Sequence, residues 1–319
     1  MDSQRIPSKK PLRILCIGMP VRDLIFRVDD VPTRGTKKRA THFTELTGGN
    51  ALNAAVAISR LGGCVRMSGP MGHAGEKTTG HMFDDMKREG IENALVHMPG
   101  LVTPISSIMI DPSGERTIVT YRDPQLWKVK LPDAELLLKD CDAVLTENRC
   151  AEFVTDLCVE ARSHDIPVIV DADRVMSLSE GLLVASSHII FSAEALHATA
   201  GITDDTDALR KVADLTPGFL AVTNGAQGTL WLDAQWQPHR VPSFPVHTVD
   251  TLGAGDVFHG AFALAVAEEQ PIPDALQFAS AAAALKCTRH GGAFASPQRV
   301  EVERLLAESP ALKKAGESL

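Results

Sequence analysis

Asp250-Thr251-Leu252-Gly253-Ala254-Gly255-Asp256 is the stretch on which the reading of this chain turns. Before it runs an extended, β-like segment, Val241-Pro-Ser-Phe-Pro-Val-His-Thr-Val249. After it comes an apolar helical stretch, Val257-Phe-His-Gly-Ala-Phe-Ala-Leu-Ala-Val-Ala267. The small residues therefore fall where a strand is expected to turn into a helix. With only Gly and Ala over them, the first N–H groups of that helix stay uncovered, at the positive end of its dipole. That is an anion hole. Asp256 projects from the same turn, so a carboxylate stands beside a place suited to developing negative charge. Phosphoryl transfer needs that pairing: donors for the migrating phosphate and a carboxylate to orient and deprotonate the attacking hydroxyl. The plainer reading, that Asp256 only caps the helix, is weakened because Asp250 can fill that role. The same dipole is expected to keep Asp256 ionised and a weak base, so that it takes the proton late.

The chain has 319 residues, 44% of them hydrophobic, enough for a large core in one domain or two. A net charge of −8 argues against a general binder of nucleic acid or anionic membrane, and the basic run Arg34–Arg39 is too short to be more than a local patch. Six cysteines (Cys16, Cys64, Cys141, Cys150, Cys158 and Cys287) lie far apart without a CxxC pair, as expected of reduced thiols in the cytoplasm. The polar, basic N-terminus has no apolar core of a signal peptide, and no apolar run reaches the length of a membrane span.

Leu12-Arg-Ile-Leu-Cys-Ile-Gly18 reads as a buried strand. Two stretches without helical period, 23–46 and 103–121, read as a small separate sheet. In the second, Asp111-Pro-Ser-Gly114 is a hairpin turn between Ile105–Ile110 and Arg116–Tyr121. Helices are expected over Asn50–Leu61 and Lys77–Glu89. From about Ala134 strands and helices alternate: strands Ala143–Thr146, Pro167–Val170, His188–Phe191, Phe219–Thr223 and Gly228–Trp231, with helices Glu152–His164, Ala193–Ala200, Asp205–Leu215, Ala254–Glu268 and Ile272–Cys287. That order predicts an α/β fold, a doubly wound, mostly parallel sheet with helices on both faces. The expected division is a core of 12–22, 47–102 and 122–310, a small separate sheet of 23–46 and 103–121, and disordered tails at 1–11 and 311–319.

GxxxxGK[ST] is absent, so phosphate must be held by something other than a P-loop. Thr223-Asn-Gly-Ala-Gln-Gly228, with Gly225 and Gly228, offers a hydroxyl and two glycines at a strand end, although an ordinary hairpin has the same pattern. Thr47-Gly-Gly-Asn-Ala-Leu-Asn53 opens the first long helix, where Gly48, Gly49 and Asn53 suit contacts to a polyol or simply form an entry turn with an Asn cap. Asp23, just past the first strand, is placed at the carboxyl ends of the strands or is a turn residue.

Taken together, Gly48-Gly49-Asn50-Ala51-Leu52-Asn53-Ala54-Ala55-Val56-Ala57 with Leu61-Gly62, and Asp250–Asp256, make the chain resemble the PfkB, or ribokinase-like, family of carbohydrate kinases from about Leu12 to Val300. The resemblance implies a Rossmann-like core with a small β-sheet lid. It implies Asp256 as catalytic base over an anion hole formed by Gly253, Ala254 and Gly255, and sugar contacts from Asp23, Gly49 and Asn53. Nucleotide contacts are implied at Thr223, Gly225, Gly228 and near Ser280 and Ala283, with ATP accompanied by Mg²⁺. The chain departs from the family's N-x-x-E element: Phe191-Ser-Ala-Glu194 keeps Glu194 and lacks the Asn, which puts metal positioning in doubt. Asp250 matches a monovalent-cation ligand of the family, which implies K⁺ as an option.

The C-terminal part, from Asp256-Val-Phe-His-Gly-Ala261 to Leu285-Lys-Cys-Thr-Arg-His-Gly-Gly292, is similar to the sulfofructose kinase and ketohexokinase side of the family. Lys37 and Arg149 are two cations able to converge on an anionic sugar substituent, with solvated surface charge as the plainer reading. Thr120 faces substrate or fills a β position. The expectation is an ATP-dependent sugar kinase acting on a primary hydroxyl of a ketose or related, anionic sugar such as sulfofructose. The alternatives are a nucleoside kinase, disfavoured by 5% aromatic content, and a catalytically silent regulator. A homodimer through the lid strands is expected, because their edges otherwise invite uncontrolled pairing.

Overall fold

The computed structural model describes residues 11–72 and 76–309, without side-chain surroundings for 76–80. Of the tails read above as disordered, residues 1–10 and 311–319 lie outside the described residues. The strands are β1 (Arg13–Ile17), β2 (Val21–Arg27), β3 (His42–Gly48), β4 (Cys64–Gly72), β5 (Glu92–Met98), β6 (Ile105–Ile110), β7 (Arg116–Tyr121), β8 (Ala143–Glu147), β9 (Val168–Ala172), β10 (His188–Ser192), β11 (Phe219–Thr223), β12 (Thr229–Leu232) and β13 (Pro238–Val241). The α-helices are α1 (Asn50–Arg60), α2 (Glu76–Arg88), α3 (Ala134–Leu138), α4 (Ala151–Ser163), α5 (Gly181–Ala185), α6 (Ala193–Ala200), α7 (Asp205–Ala213), α8 (Ala254–Ala267), α9 (Ile272–Cys287) and α10 (Arg299–Glu308).

Nine strands form one sheet in the order β13-β12-β11-β10-β9-β8-β1-β4-β5, parallel from β11 to β5 with β12 and β13 antiparallel at one edge. Its central strands are buried on both faces, which explains their unbroken apolar runs. In β1, Ile14 and Cys16 point into one core layer while Leu15 and Ile17 point into the other. Helix α8 is apolar all round because it lies inside the first layer, between α1 and α9. Contact with α1 is close enough that a Cβ on Gly260 would lie 2.6 Å from the Ala54 carbonyl oxygen. The second sheet, β3-β2-β6-β7, has its own small core of Ile25, Ile108 and Ile110, against which Leu46 and Leu252 pack.

From β1 the chain passes through β2 and β3 of the small sheet to β4 and β5 on one side, passes through β6 and β7 of the small sheet, and returns to β8 on the other side of β1. This reversal opens a crevice at the carboxyl ends of β1 and β8, the place where open α/β sheets bind ligands. Two local expectations need correcting. The run 242–249 is not a strand: β13 stops at Val241, and the next residues are irregular. Proline at 242 and 245 removes two backbone donors, so the run cannot pair as a ladder. Strands β4 and β5 were not foreseen. In β4, Gly69 takes φ +135°, and a Cβ there would lie 2.0 Å from the Gly18 carbonyl oxygen, so close approach to β1 explains a glycine inside a strand.

Candidate active site

The turn before α8 is shaped by Gly253, the N-cap, in the left-handed conformation (φ 78°) without any side-chain cap. Asp250 does not cap the helix. Its Oδ1 accepts from the Leu252 N–H at 2.9 Å, which closes a local turn instead. The anion hole is also narrower than expected. The Ala254 N–H donates to the Thr251 carbonyl at 3.2 Å, whereas the Gly253 and Gly255 N–H groups have no partner among the described residues. A Cβ on Gly255 would meet nothing within 4 Å, so the backbone there is open to a ligand. The Gly253 and Gly255 donors thus remain, at a helix N-terminus, to face a phosphate.

Asp256 lies in the first turn of α8 and accepts a 2.7 Å hydrogen bond at Oδ2 from the Asn53 amide of α1. Burial pushes its carboxyl well above the usual range, and the Asp171 carboxylate adds to this. The bond from Asn53 opposes the shift, and Asp173 and Glu147 reinforce it. The expectation that the helix dipole would leave a weak base is therefore corrected: desolvation and three neighbouring carboxylates outweigh a terminal dipole worth roughly 0.3–1 kcal/mol. Those carboxylates sit at adjacent strand ends, Glu147 closing β8 and Asp171 near the end of β9. The Asn50 amide bridges Asp171 (3.1 Å) and Asp173 (3.0 Å). His259, one turn along α8, is buried, with Nδ1 2.8 Å from the Gly255 carbonyl oxygen and Nε2 3.5 Å from Asp171.

Beside Asp256 lies a cavity of about 190 Å³. Its lining includes Asp23, Gly49, Asn53, Thr120, Arg122, Arg149 and Arg174. Asp23 is buried, and burial raises its carboxyl to about 6 against a hydrogen bond from Ser106 and the Arg122 charge. Gly49 is required by its backbone: φ is +99°, and a Cβ would lie 2.4 Å from the Met19 carbonyl oxygen. Gly48 backs the cavity by leaving room for Asp23, whose Oδ2 would lie 2.0 Å from a Cβ at that position. Thr120 shares a 3.0 Å hydrogen bond with Ser106 on the neighbouring strand. Asn53, expected as a sugar contact, spends one amide hydrogen on Asp256.

Of the two cations singled out earlier, Lys37 is exposed on the connection between β2 and β3 and is not among the residues lining the cavity. Arg149 does line it, but is not surface charge: its side chain is 7% exposed and ion-paired with Glu147 and Asp173. Burial works against that guanidinium, and the three acidic neighbours Glu147, Asp173 and Asp171 hold it charged. Sequence reasoning missed Arg122 and Arg174. Neither forms an ion pair among the described residues, and the Arg122 Nε is buried without a hydrogen-bond partner. Burial and then Arg149 disfavour the Arg122 charge, Arg174 adds to this, and the Glu147 and Asp173 carboxylates oppose it. An unpaired guanidinium beside two others is a place for an anion.

The residues expected to hold nucleotide lie elsewhere along the same end of the sheet. Ser192, the last residue of β10, is in register with Thr223, the last of β11, and Glu194 is exposed in the first turn of α6. Gly225 and Gly228 form the β11–β12 hairpin, with φ +48° and +82°. A Cβ on Gly228 would lie 2.2 Å from the Val241 carbonyl oxygen, so packing by itself explains that glycine. Nothing lies within 4 Å of a Cβ on Gly225. Ser280 and Ala283 are one turn apart on α9, Ser280 buried and Ala283 half-buried. None of these six lines the acceptor cavity. Among the described residues no three His, Cys, Asp or Glu side chains are grouped to hold a metal ion.

Asp256 beside an open helix N-terminus, over a polar cavity at the switch point of a parallel sheet, is an arrangement suited to phosphoryl transfer on an α/β fold. The pattern of the pfkB family carbohydrate kinases matches residues 12–299, and the chain belongs to that family. It is 30% identical to a ribokinase of Bacillus subtilis over 93% of this chain and all of that protein. It is 27% identical to fructokinase-1 of Oryza sativa subsp. japonica over 88% of this chain and 94% of that one. A solved Agrobacterium tumefaciens structure, provisionally assigned as a ribokinase, superposes with a TM-score of 0.88 at 35% identity, covering 95% of this chain and 99% of that one. The protein is an ATP-dependent carbohydrate kinase with a ribokinase-like fold. Kinases of this family generally use Mg²⁺ with ATP.

Proposed function

We propose that this kinase transfers the γ-phosphate of Mg·ATP to a primary hydroxyl of an anionic sugar, a ketose bearing a sulfonate or phosphate such as sulfofructose. The carrying observation is the guanidinium cluster of Arg122, Arg149 and Arg174 in the cavity beside Asp256, of which only Arg149 makes a close ion pair with carboxylates among the described residues. Arg122 and Arg174 take the anionic substituent, a charge-assisted contact that also supplies the missing partner of the Arg122 Nε. Asp23 and Thr120 accept and donate hydrogen bonds to the sugar hydroxyls. Asp256 removes the acceptor proton while Gly253 and Gly255 N–H groups stabilise the migrating phosphate. Glu194, Thr223, Gly225, Gly228, Ser280 and Ala283 hold the nucleotide in this reading.

A nucleoside acceptor fits less well. The cavity is smaller than the roughly 300–1,000 Å³ typical of larger ligands, and its lining contains no aromatic ring to sandwich a base. Phe26 and Phe43 pack on each other instead, with ring centroids 5.1 Å apart. Any K⁺ at Asp250 would share that carboxylate with the Lys286 ammonium, 3.6 Å away; comparing KCl with choline chloride reads its effect on rate.

ADP release from Mg·ATP tests the acceptor across fructose, ribose, 2-keto-3-deoxygluconate, fructose phosphates, sulfofructose and adenosine. A clear preference for an anionic sugar supports the reading, and preference for ribose or fructose overturns it. The free cysteines suit a reducing cytoplasm. The second sheet ends in β7, an unpaired edge exposing Ile118, Val119 and Tyr121, which supports a homodimer through these strands. Light scattering at micromolar concentration is expected to give twice the chain mass; a monomer would sink the dimer.

A further inference from the structure

Lys286, near the end of α9, is 0% exposed. Its Nζ donates to the Asp250 carbonyl at 2.8 Å and lies 3.6 Å from the Asp250 carboxylate. One residue on, the Cys287 carbonyl accepts from both the Val249 (2.8 Å) and Asp250 (3.1 Å) N–H groups. The irregular segment entering the anion hole is thus held from beneath by the last turn of α9. On the other side, Leu252 packs against the small core of the second sheet. A fully buried ammonium is strongly disfavoured by desolvation unless its surroundings compensate. Here one carboxylate faces it beyond hydrogen-bond distance, and that carboxylate is shared with the Leu252 N–H. An apolar side chain could fill the same volume more cheaply, so the charge calls for a reason beyond packing.

We infer that Lys286 is a positioning residue for phosphoryl transfer, its ammonium fixing the 250–253 turn and placing positive charge behind the anion hole. The contact to the Asp250 carbonyl orients the peptide that begins the turn, three residues before the left-handed Gly253. With the turn fixed, the Gly253 and Gly255 N–H groups need not reorganise as charge builds on the migrating phosphate, and the buried charge acts on that phosphate through a medium of low dielectric. Such an effect belongs to the transition state, so it governs kcat more than substrate affinity. The inference rests on phosphoryl transfer itself and not on the anionic acceptor. The assay therefore uses whichever sugar the wild type phosphorylates fastest, and failure of either reading leaves the other standing.

The test is a set of variants in the full chain. Lys286→Met should fold, keep KM for ATP and sugar within about threefold, and lose kcat by about tenfold or more. In Lys286→Ala, added propylammonium should restore part of that kcat, and propan-1-ol, equal in size but neutral, should not. Should Lys286→Met fail to fold, Lys286→Gln, which keeps a donor for the Asp250 carbonyl without the charge, should show the same fall in kcat. The inference is overturned by an unchanged kcat in a folded, uncharged variant. It is equally overturned if propan-1-ol rescues as well as the amine, which would make Lys286 packing alone, or if neither Met nor Gln folds, which would assign it to stability.

Discussion

On the side of the crevice proposed for the acceptor, Asp23, Asn53, Thr120, Arg122, Arg149, Arg174 and Asp256 arrive from separate segments and meet around one cavity through their side chains. On the side proposed for the nucleotide the structure offers mostly backbone: a glycine hairpin after β11, the open N-terminus of α8, and one face of α9. The difference follows from what each substrate demands. A nucleotide's phosphates are satisfied by N–H groups at helix and turn ends, which many residues can supply. A particular sugar must be told from similar polyols, and that takes charged and polar side chains in fixed places, whose removal leaves unpaired partners behind. Substitutions on the acceptor side should therefore cost more than those on the nucleotide side.

The largest effect is expected at the junction of the two. Asp256→Asn should lower turnover by at least ~10²-fold while ATP still binds, the scale of losing a general base; steady-state rates with a nucleotide-binding assay check it, and full activity would remove Asp256 from the mechanism. Next, Arg122→Met should raise KM for an anionic acceptor by about 10–100-fold with a small change in kcat, since a hydrogen bond to a charged group is worth about 1.5–3 kcal/mol. A neutral sugar should feel it far less.

Asp23 gives a smaller and pH-dependent effect. Its carboxyl, raised by burial to about 6, must be ionised to accept from the sugar, so kcat/KM should fall as pH drops below about 6, by roughly tenfold per unit. For stability the sign is opposite. The folded state binds the proton more tightly than the unfolded chain between the ordinary value of 3.8 and about 6, so stability falls as pH rises through that window. A pH–rate profile and melting curves read the two trends separately. The smallest effect is expected at Gly225, where φ is +48° but a Cβ meets nothing: Gly225→Ala should shift KM for ATP only about two- to fivefold, in line with a left-handed strain of roughly 1–2 kcal/mol shared with turn relaxation. A hundredfold loss there would erase the contrast between the two sides.

The same contrast explains what could be read from the sequence. The anion hole and Asp256 were legible because Gly, Ala and Asp are adjacent in the chain, and the start of α8 is a local matter. The alternation of β8 through α7 was legible because buried parallel strands are apolar runs between helices, so α6 and α9 fall where expected. Arg122 and Arg174 were not, because nothing local separates a cavity arginine from a surface one; both follow strand ends, the one available hint. Asp171 and Asp173 are ordinary in sequence and matter only because Asn50 bridges them and both raise Asp256. Arg149 was singled out as a cation for the sugar, but its ion pairs were not legible, since Glu147 and Asp173 reach it from two different strand ends. Lys286 sits in a helix otherwise full of alanine, where a lysine reads as solvated until the chain folds over it.

The most direct test of the account is the ratio of kcat/KM for an anionic sugar to that for the same sugar without its anionic group, measured in the wild type and in Arg122→Met. The account predicts a ratio well above unity in the wild type that falls by about tenfold or more in the variant. A ratio near or below unity in the wild type, or one that Arg122→Met leaves unchanged, would contradict it.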